Sequence, residues 1–426
     1  MKRLQAYKFE LMPNGEQTHA MRQYVGCCRV VYNKALAWQN VQYQADNTCL
    51  FSYTKIANLL PLWKGELAWL KDAPSQTLQQ SLKNLESSFR NFFAKRADFP
   101  KFKKKGMSAS FRFPQGFKIE QHNNRLFLPK LGWLRYRNSR EILGIAKNIT
   151  VSQKCGKWYV AIQTEREVET LTHIATSAVG VDVGITKFAA LSTGEVFAPV
   201  NSFRTKQTRL ARYQRAMSRK VKFSNNWKKA KAKITKYHST IANIRRDYLH
   251  KTSTAISQNH AMIVIEDLQV SNMSKSAAGT SEKHGRNVKA KSGLNKSILD
   301  QGWFEFRRQL EYKQAWRGGE VLTVPPQYTS QRCSCCGHVA KENRTTQSKF
   351  ACVSCSHSMN ADLNAARNIL AAGYAVLACG EMMQSGHSVK QEPAEGKHSV
   401  LSEPVGIPAL KSGEDVNNQQ CLKEIQ

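Results

Sequence analysis

The sequence predicts a multidomain α/β chain, and three observations predict it. Short alternating runs on either side of a helical block read as a small β-barrel interrupted by helices, residues 1–11 with 98–172 around 12–97. From residue 178 the texture becomes strand, hairpin, long helix, strand, helix, the order of an α/β domain. Two CxxC pairs mark a compact metal element at 329–356, so the α/β domain reads as 173–328 resumed at 357–375.

Taken in order, Lys2 to Leu11 alternates like a strand, Pro13-Asn14-Gly15 is a turn, and Glu16 to about Gln44 reads as one or two helices. A further helix opens after Pro74 with Ser75 as its N-cap, and Leu78, Leu82, Leu85, Phe89 and Phe92 recur at helical spacing. The basic loop from Pro100 to Gly106 precedes strand-like runs around Phe111, at 125–128, 133–136 and 149–151. Cys155-Gly156 joins two alternating runs as a hairpin. Residues 178–183 read as a buried strand with 185–191 as its partner, and 262–265 as another strand. Residues 269–297 are rich in Ser, Gly, Asn and Lys and read as a mobile loop. One helix then carries Leu299, Trp303, Phe306 and Leu310 on one side, before a strand at 321–324. Residues 376–426 read as a largely disordered tail.

Composition narrows the partner. The chain has 426 residues, 64 Lys and Arg against 31 Asp and Glu, and a net charge of +33. Such an excess suits a polyanion, because each neutralised phosphate releases counterions. Between Arg204 and Arg246 stand fifteen basic residues and no acidic one, a run that repels itself unless an anion neutralises it. Arg204, Arg212, Lys228, Lys229, Arg245 and Arg246 are candidate backbone contacts, as are Lys103 and Lys104 in the basic loop. No apolar run approaches the roughly 20 residues a bilayer needs. MKRLQAYKFEL lacks the apolar core of a signal peptide, so a cytoplasmic protein is expected.

Cys333 and Cys336 form one CxxC and Cys352 and Cys355 the other, with fifteen residues between them. Four thiolates at that spacing suit tetrahedral, structural Zn²⁺. Cys335 should point away from the metal, and His338 and His357 are substitute ligands.

Three carboxylates stand where a solvated carboxylate is least expected. Asp182 interrupts the hydrophobic VGVDVG, Glu266 ends MIVIED, and Asp362 opens the Ala-rich helix of NADLNAARNIL. Burying like charges together is tolerable with metal between them, and two Mg²⁺ roughly 3.5–4 Å apart, with Mn²⁺ as a substitute, activate water on a phosphodiester. Asp267 is the rival to Glu266, although strand alternation puts only Glu266 on the face of Met262 and Val264. The absence of a Walker loop, a GxSxG elbow and HExxH removes ATP-driven helicases, serine hydrolases and zinc proteases.

The sequence resembles the TnpB family of transposon-encoded RNA-guided DNA endonucleases, related to type V CRISPR effectors. The resemblance rests on VGVDVGITKFAALSTG at 179–194, SNNWKKAKAKITKYHSTIANIRRDYLHK at 224–251 and MIVIEDLQVSNM at 262–273. TSQRCSCCGH at 329–338 and NADLNAARNIL at 360–370 complete it. It implies an RNase H-like (RuvC) nuclease domain split by a zinc ribbon, with Asp182, Glu266 and Asp362 as the catalytic acids. It also implies a helical recognition domain at 12–97, a wedge-like β-barrel, and a monomer on one guide RNA taken from the transposon end. Target DNA would be read by base pairing, and a short target-adjacent motif by protein contacts near Gln76, Gln79, Gln80 and Lys83. The family often carries Asp where Asn360 stands here. A strand-joining transposase and a guided repressor that has lost cleavage are the competing readings; the intact acids speak against the second. The long basic helices and the lack of a recognisable helix-turn-helix favour RNA binding over the first.

Overall fold

The computed structural model describes residues 1–48, 50–106, 109–280 and 282–384, with side chains of the last helix described to residue 378. The chain divides into two compact units at residue 168. Of the expected tail, residues 376–384 are helical and 385–426 lie outside the described residues.

The first unit runs β1 (Lys2–Met12), α1 (Gly15–Ala45), α2 (Tyr53–Ala57), α3 (Leu60–Glu66), α4 (Ser75–Phe93), β2 (Ala109–Phe113), β3 (Lys118–Glu120), β4 (Arg125–Leu128), β5 (Gly132–Tyr136), β6 (Ile145–Lys154) and β7 (Lys157–Glu167). Its antiparallel sheet has the order β2-β6-β7-β1-β5-β4-β3. Alternation places Tyr7, Phe9 and Leu11 of β1 in the core. β6 and β7 turn through Cys155 (φ 53°) and Gly156 (φ 81°), the two left-handed residues that a two-residue hairpin demands. The order ends at β2 and β3 with no ladder between them among the described residues, so in its pairing the expected barrel is an open sheet.

Asn14 and Gln17 cap α1 reciprocally, and the helix then continues unbroken for 31 residues. Ser75 does not cap α4. Its hydroxyl accepts from Lys64 Nζ at 2.7 Å, while Pro74 holds the cap position and its carbonyl accepts the Thr77 hydroxyl. Leu78, Leu82, Leu85 and Phe89 are buried with Val31, Ala35 and Leu36 of α1 in one core, and Phe92 is half-buried, edge-on to Phe99.

The second unit runs β8 (Ala178–Val183), β9 (Ala189–Leu191), β10 (Val196–Phe197), α5 (Arg204–Ser218), α6 (Asn225–Asn259), β11 (Met262–Glu266), α7 (Val270–Met273), α8 (Val288–Gln301), α9 (Trp303–Arg317), β12 (Glu320–Val324), β13 (Lys349–Ala351), β14 (Ser358–Asn360) and α10 (Ala361–Gln384). A five-stranded sheet of order β10-β9-β8-β11-β12 holds it, with β8, β11 and β12 parallel and β9 returning antiparallel. Strand alternation gives the sheet two covered faces. Val179, Val181, Val183, Ile263 and Ile265 share a core with Leu249 and Ile256 of α6 and with Phe306 and Leu310 of α9. Gly180 and Val264 lie on the other face, against α10. A Cβ at Gly180 would overlap the Ala366 carbonyl oxygen, and one at Gly373 would overlap the Val264 side chain. Small residues on both partners therefore let α10 sit unusually close to the sheet.

Two expectations fail here. The loop read at 269–297 contains α7 and the greater part of α8. The single helix read from Leu299 to Leu310 is two, broken at Gly302 (φ 76°), so Leu299 is exposed while Trp303, Phe306 and Leu310 are buried. A polar composition hid α8, and the glycine at the left-handed position ended it.

Candidate active site

Val181 pairs with Ile265 in parallel register, which sets Asp182 and Glu266 side by side on the face that carries Gly180 and Val264. Asp362 stands in the first turn of α10, the helix packed on that face. Burial, and then the charges of Glu266 and Asp362, push the Asp182 carboxyl up to about 7, against the pull of Arg344 and Lys187. Burial also raises Glu266, against the Thr329 hydroxyl that donates to its Oε1 at 2.6 Å. Lys187 Nζ lies 2.9 Å from Asp362 Oδ2 and 3.2 Å from Asn360 Oδ1. Asn360 Oδ1 also accepts the backbone N–H groups of Asp362 and Leu363, so this residue caps α10. Asp267 is committed elsewhere, to Arg307 and Gln269. Beside Glu266 opens a cavity of about 250 Å³ lined by Val183, Ile265, Trp303, Phe304 and Arg307.

Sequence reading missed the side chains that hold this arrangement. Asn364 accepts the Ser334 N–H and donates to the Arg332 carbonyl; Asn368 donates to the carbonyls of Thr329 and Arg332. Together they lash the segment that supplies Thr329 to the helix that supplies Asp362. The available signal was two asparagines at i and i+4 in an Ala-rich helix, where a buried amide needs a fixed partner.

The four cysteines meet. Their sulfurs lie within 4.8 Å of one another, with Cys333–Cys355 at 3.7 Å and Cys336–Cys352 at 3.6 Å. Tetrahedral zinc–thiolate bonds of about 2.3 Å require sulfurs about 3.8 Å apart, so the set fits zinc. Each knuckle closes alike: Gly337 N–H donates to Cys333 O, and Ser356 N–H to Cys352 O, both residues left-handed at φ 77° and 59°. Backbone N–H groups of Cys355 and Ser354 lower the Cys352 thiol, while the neighbouring sulfurs of Cys336, Cys352 and Cys333 raise Cys355 against the His357 N–H, so one thiolate is favoured and each further one asks for a cation. Cys335 is exposed and contributes only its N–H, to Cys333 Sγ. His338 and His357 accept knuckle amides through their carbonyls, and neither ring belongs to the cluster.

The basic candidates divide. In the first unit Gln79, Lys83 and Lys104 are exposed, Gln76 is half-buried and Gln80 buried. Lys103 is half-buried with Nζ 3.8 Å from the Tyr32 ring centre, and burial lowers its pKa. In the second unit Arg204, Arg212, Lys228, Lys229 and Arg246 are exposed. Arg245 is engaged with the protein, paired at 3.0 Å with the buried Asp300, which also accepts the Phe203 N–H at the start of α5.

Comparison with known proteins fits this geometry. A family model described as "Probable transposase" matches residues 161–277, one described as "Cas12f1-like, TNB domain" matches 303–369, and one described as "Helix-turn-helix domain" matches 1–48. That last segment is a strand followed by the single helix α1. A protein of Escherichia coli (strain K12) named as the RNA-guided DNA endonuclease InsQ is 65% identical over 397 residues, covering 93% of this chain and 98% of that one. One of Streptomyces pristinaespiralis, likewise named an RNA-guided DNA endonuclease, is 35% identical over 95% of this chain and 98% of its own. Among solved structures, a Cas12f1–sgRNA–target DNA complex matches in fold with a TM-score of 0.56 at 13% identity, covering 86% of this chain and 98% of that one. The fold is thus that of a multidomain α/β protein with a RuvC-type domain, and the chain belongs to the TnpB family of RNA-guided DNA endonucleases.

Proposed function

We propose that Asp182, Glu266 and Asp362 are the catalytic acids and hold two Mg²⁺ for hydrolysis of both strands of a DNA duplex. The observation that carries this is the desolvated Asp182, coupled to two further carboxylates and pushed to about 7, a charge arrangement that asks for cations. Oxygen donors of this kind suit Mg²⁺ or Mn²⁺. When bound, such ions supply an activated water and stabilise the leaving oxygen. The chain's own residues do the positioning. Thr329 orients Glu266, Lys187 and Asn360 hold Asp362, and α10 fixes the distance between them.

The reading extends to the whole chain. Residues 173–328 with 357–375 act as the nuclease domain and 329–356 as its zinc element. Residues 12–97 act as the recognition domain, and 1–11 with 98–172 as the wedge. One copy binds a guide RNA from the transposon end, and the region of Gln76, Gln79, Gln80 and Lys83 reads the target-adjacent motif, supporting maintenance of the transposon. Exposed Arg204, Arg212, Lys228, Lys229 and Arg246 contact nucleic-acid backbone, as does Lys104.

Expression with the gene's own 3′ flank tests this. Asp182→Ala should retain the copurifying RNA and bind its matching target while losing cleavage at least a thousandfold. Cleavage surviving the substitution would reject the acids, and joined DNA ends in place of free ones would indicate a transposase.

A further inference from the structure

Helices α5 and α6 pack on each other through Leu210, Ile234 and Ile241, with Tyr213, Met217 and Tyr237 around them. That small core ends short of the connection at 219–224. There the chain carries Arg219, Lys220, Val221, Lys222, Phe223 and Ser224, with Val221 80% and Phe223 64% exposed. Phe223 also adopts a left-handed backbone, φ 69°, at a cost of about 1 kcal/mol for a residue bearing a Cβ. Its ring meets Trp227 at 5.5 Å between centres and 60° between planes. The Ser224 hydroxyl accepts the backbone N–H of Trp227, capping α6 and placing the tryptophan in its first turn. Lys222 Nζ lies 5.2 Å from the Phe223 ring centre and Lys231 Nζ 5.0 Å from that of Trp227. No carboxylate occurs anywhere from Arg204 to Arg246.

An exposed ring on a strained backbone contributes nothing to the hairpin's own core, whose members do not include it. A protein partner would be expected to meet a rim of mixed charge, and every charge here is positive. Rigid aromatic faces ringed by lysines suit a base whose own face is free, backed by its phosphates. Paired bases inside a duplex hide that face. We infer that the Phe223–Trp227 tip of the α5–α6 hairpin is a stacking platform for an unpaired nucleobase of the bound nucleic acid, with Lys220, Lys222 and Lys231 neutralising the flanking phosphates. The base comes from a loop or single-stranded part of the guide RNA or from the displaced DNA strand. This rests on the RNA-guided reading for its ligand only.

Ultraviolet crosslinking of the intact RNA complex, alone and with target DNA, followed by trypsin and mass spectrometry, reads the platform directly. Cleavage after Lys222 and Lys228 isolates both rings in one peptide, FSNNWK. The expected result is a nucleotide adduct on it, a ribonucleotide mass naming the guide and a deoxyribonucleotide mass the displaced strand. An unmodified peptide from a complex crosslinked elsewhere would overturn the platform and leave the guided reading intact. Loss of all RNA from the purified protein would strike the guided reading instead. Phe223→Ala should weaken nucleic-acid binding about tenfold, with Phe223→Tyr restoring it and Phe223→Leu not. Leucine binding as well as phenylalanine would overturn stacking. So would retention by phosphatidylglycerol vesicles that Phe223→Ala abolishes and added nucleic acid does not displace, since that would make the tip a membrane contact.

Discussion

The four-cysteine cluster and the acid cluster share one unit of the molecule and are assembled in opposite ways. Cys333 to Cys355 lie within one short stretch of chain, and two matching knuckles aim the sulfurs through local backbone hydrogen bonds. Asp182, Glu266 and Asp362 come from two parallel strands and a helix far apart in sequence. Nothing local aims them; the close seat of α10 against Gly180 and Val264 does. The cysteines gather charge that one Zn²⁺ would offset only in part, while they fill all four of its ligand positions. The carboxylates gather charge that burial makes costly, and leave oxygen positions open. A local site is rigid by backbone geometry, and a long-range site is only as good as the packing behind it.

The difference is broken most severely at the cysteines. β14 leads directly into α10, so a zinc element that unfolds also loosens the first turn that carries Asp362. Cys333→Ser combined with Cys352→Ser should reduce zinc to less than about a tenth of an ion per chain and abolish cleavage, since structural zinc provides folding free energy outright. Asp182→Ala, by contrast, should leave zinc in place. Elemental analysis of both variants checks the asymmetry; a full zinc complement in the double serine variant would refute the site.

A smaller effect separates the two sites by pH. Asp182 has its folded pKa raised to about 7, so the stability tied to its protonated form is present at low pH and lost as pH climbs through 7. A divalent ion must displace that proton below 7 and need not above it. Mg²⁺ should therefore raise the melting temperature more at pH 8 than at pH 6, by about 5 °C at saturation. Asp182→Asn should lose the difference. Equal shifts at both pH values in the unaltered protein would count against Asp182 as an ion ligand.

What could be read from sequence follows the same division. The CxxC spacing needs no tertiary information, so all four cysteines were legible, and Cys335 with them. The acids were legible as anomalies, polar residues in the otherwise apolar runs VGVDVG and MIVIED, and both are half-buried in the fold. The groups that position them were not, because Asn364, Asn368, Thr329 and Lys187 acquire their partners only when distant segments meet. Periodicity misled in the same way at Leu299, where Gly302 turns the helix and faces the leucine outward. Ser75 looked like a cap until Lys64 of α3 claimed its hydroxyl. Arg245, one of six basic candidates on the long helices, is taken by Asp300 from another helix.

The subtlest of these long-range contacts is also testable. Thr329 donates to Glu266 Oε1, and its own backbone carbonyl is gripped by Asn368, so the hydroxyl is held in place by the helix bearing Asp362. Thr329→Val keeps the branched shape and removes only the donor. Glu266, already raised by burial, then loses the interaction that favours its charged form, and its pKa rises further. Ion binding, which needs that charge, should shift to higher pH, and cleavage at neutral pH should fall about tenfold, as for other groups that orient a ligand. Zinc content and RNA retention should not change, because neither depends on the carboxylate. The discriminating measurement is the pH–rate profile. A merely structural threonine would lower the rate equally at every pH, whereas a threonine that orients Glu266 shifts the acidic limb upward and lets high pH recover most of the loss.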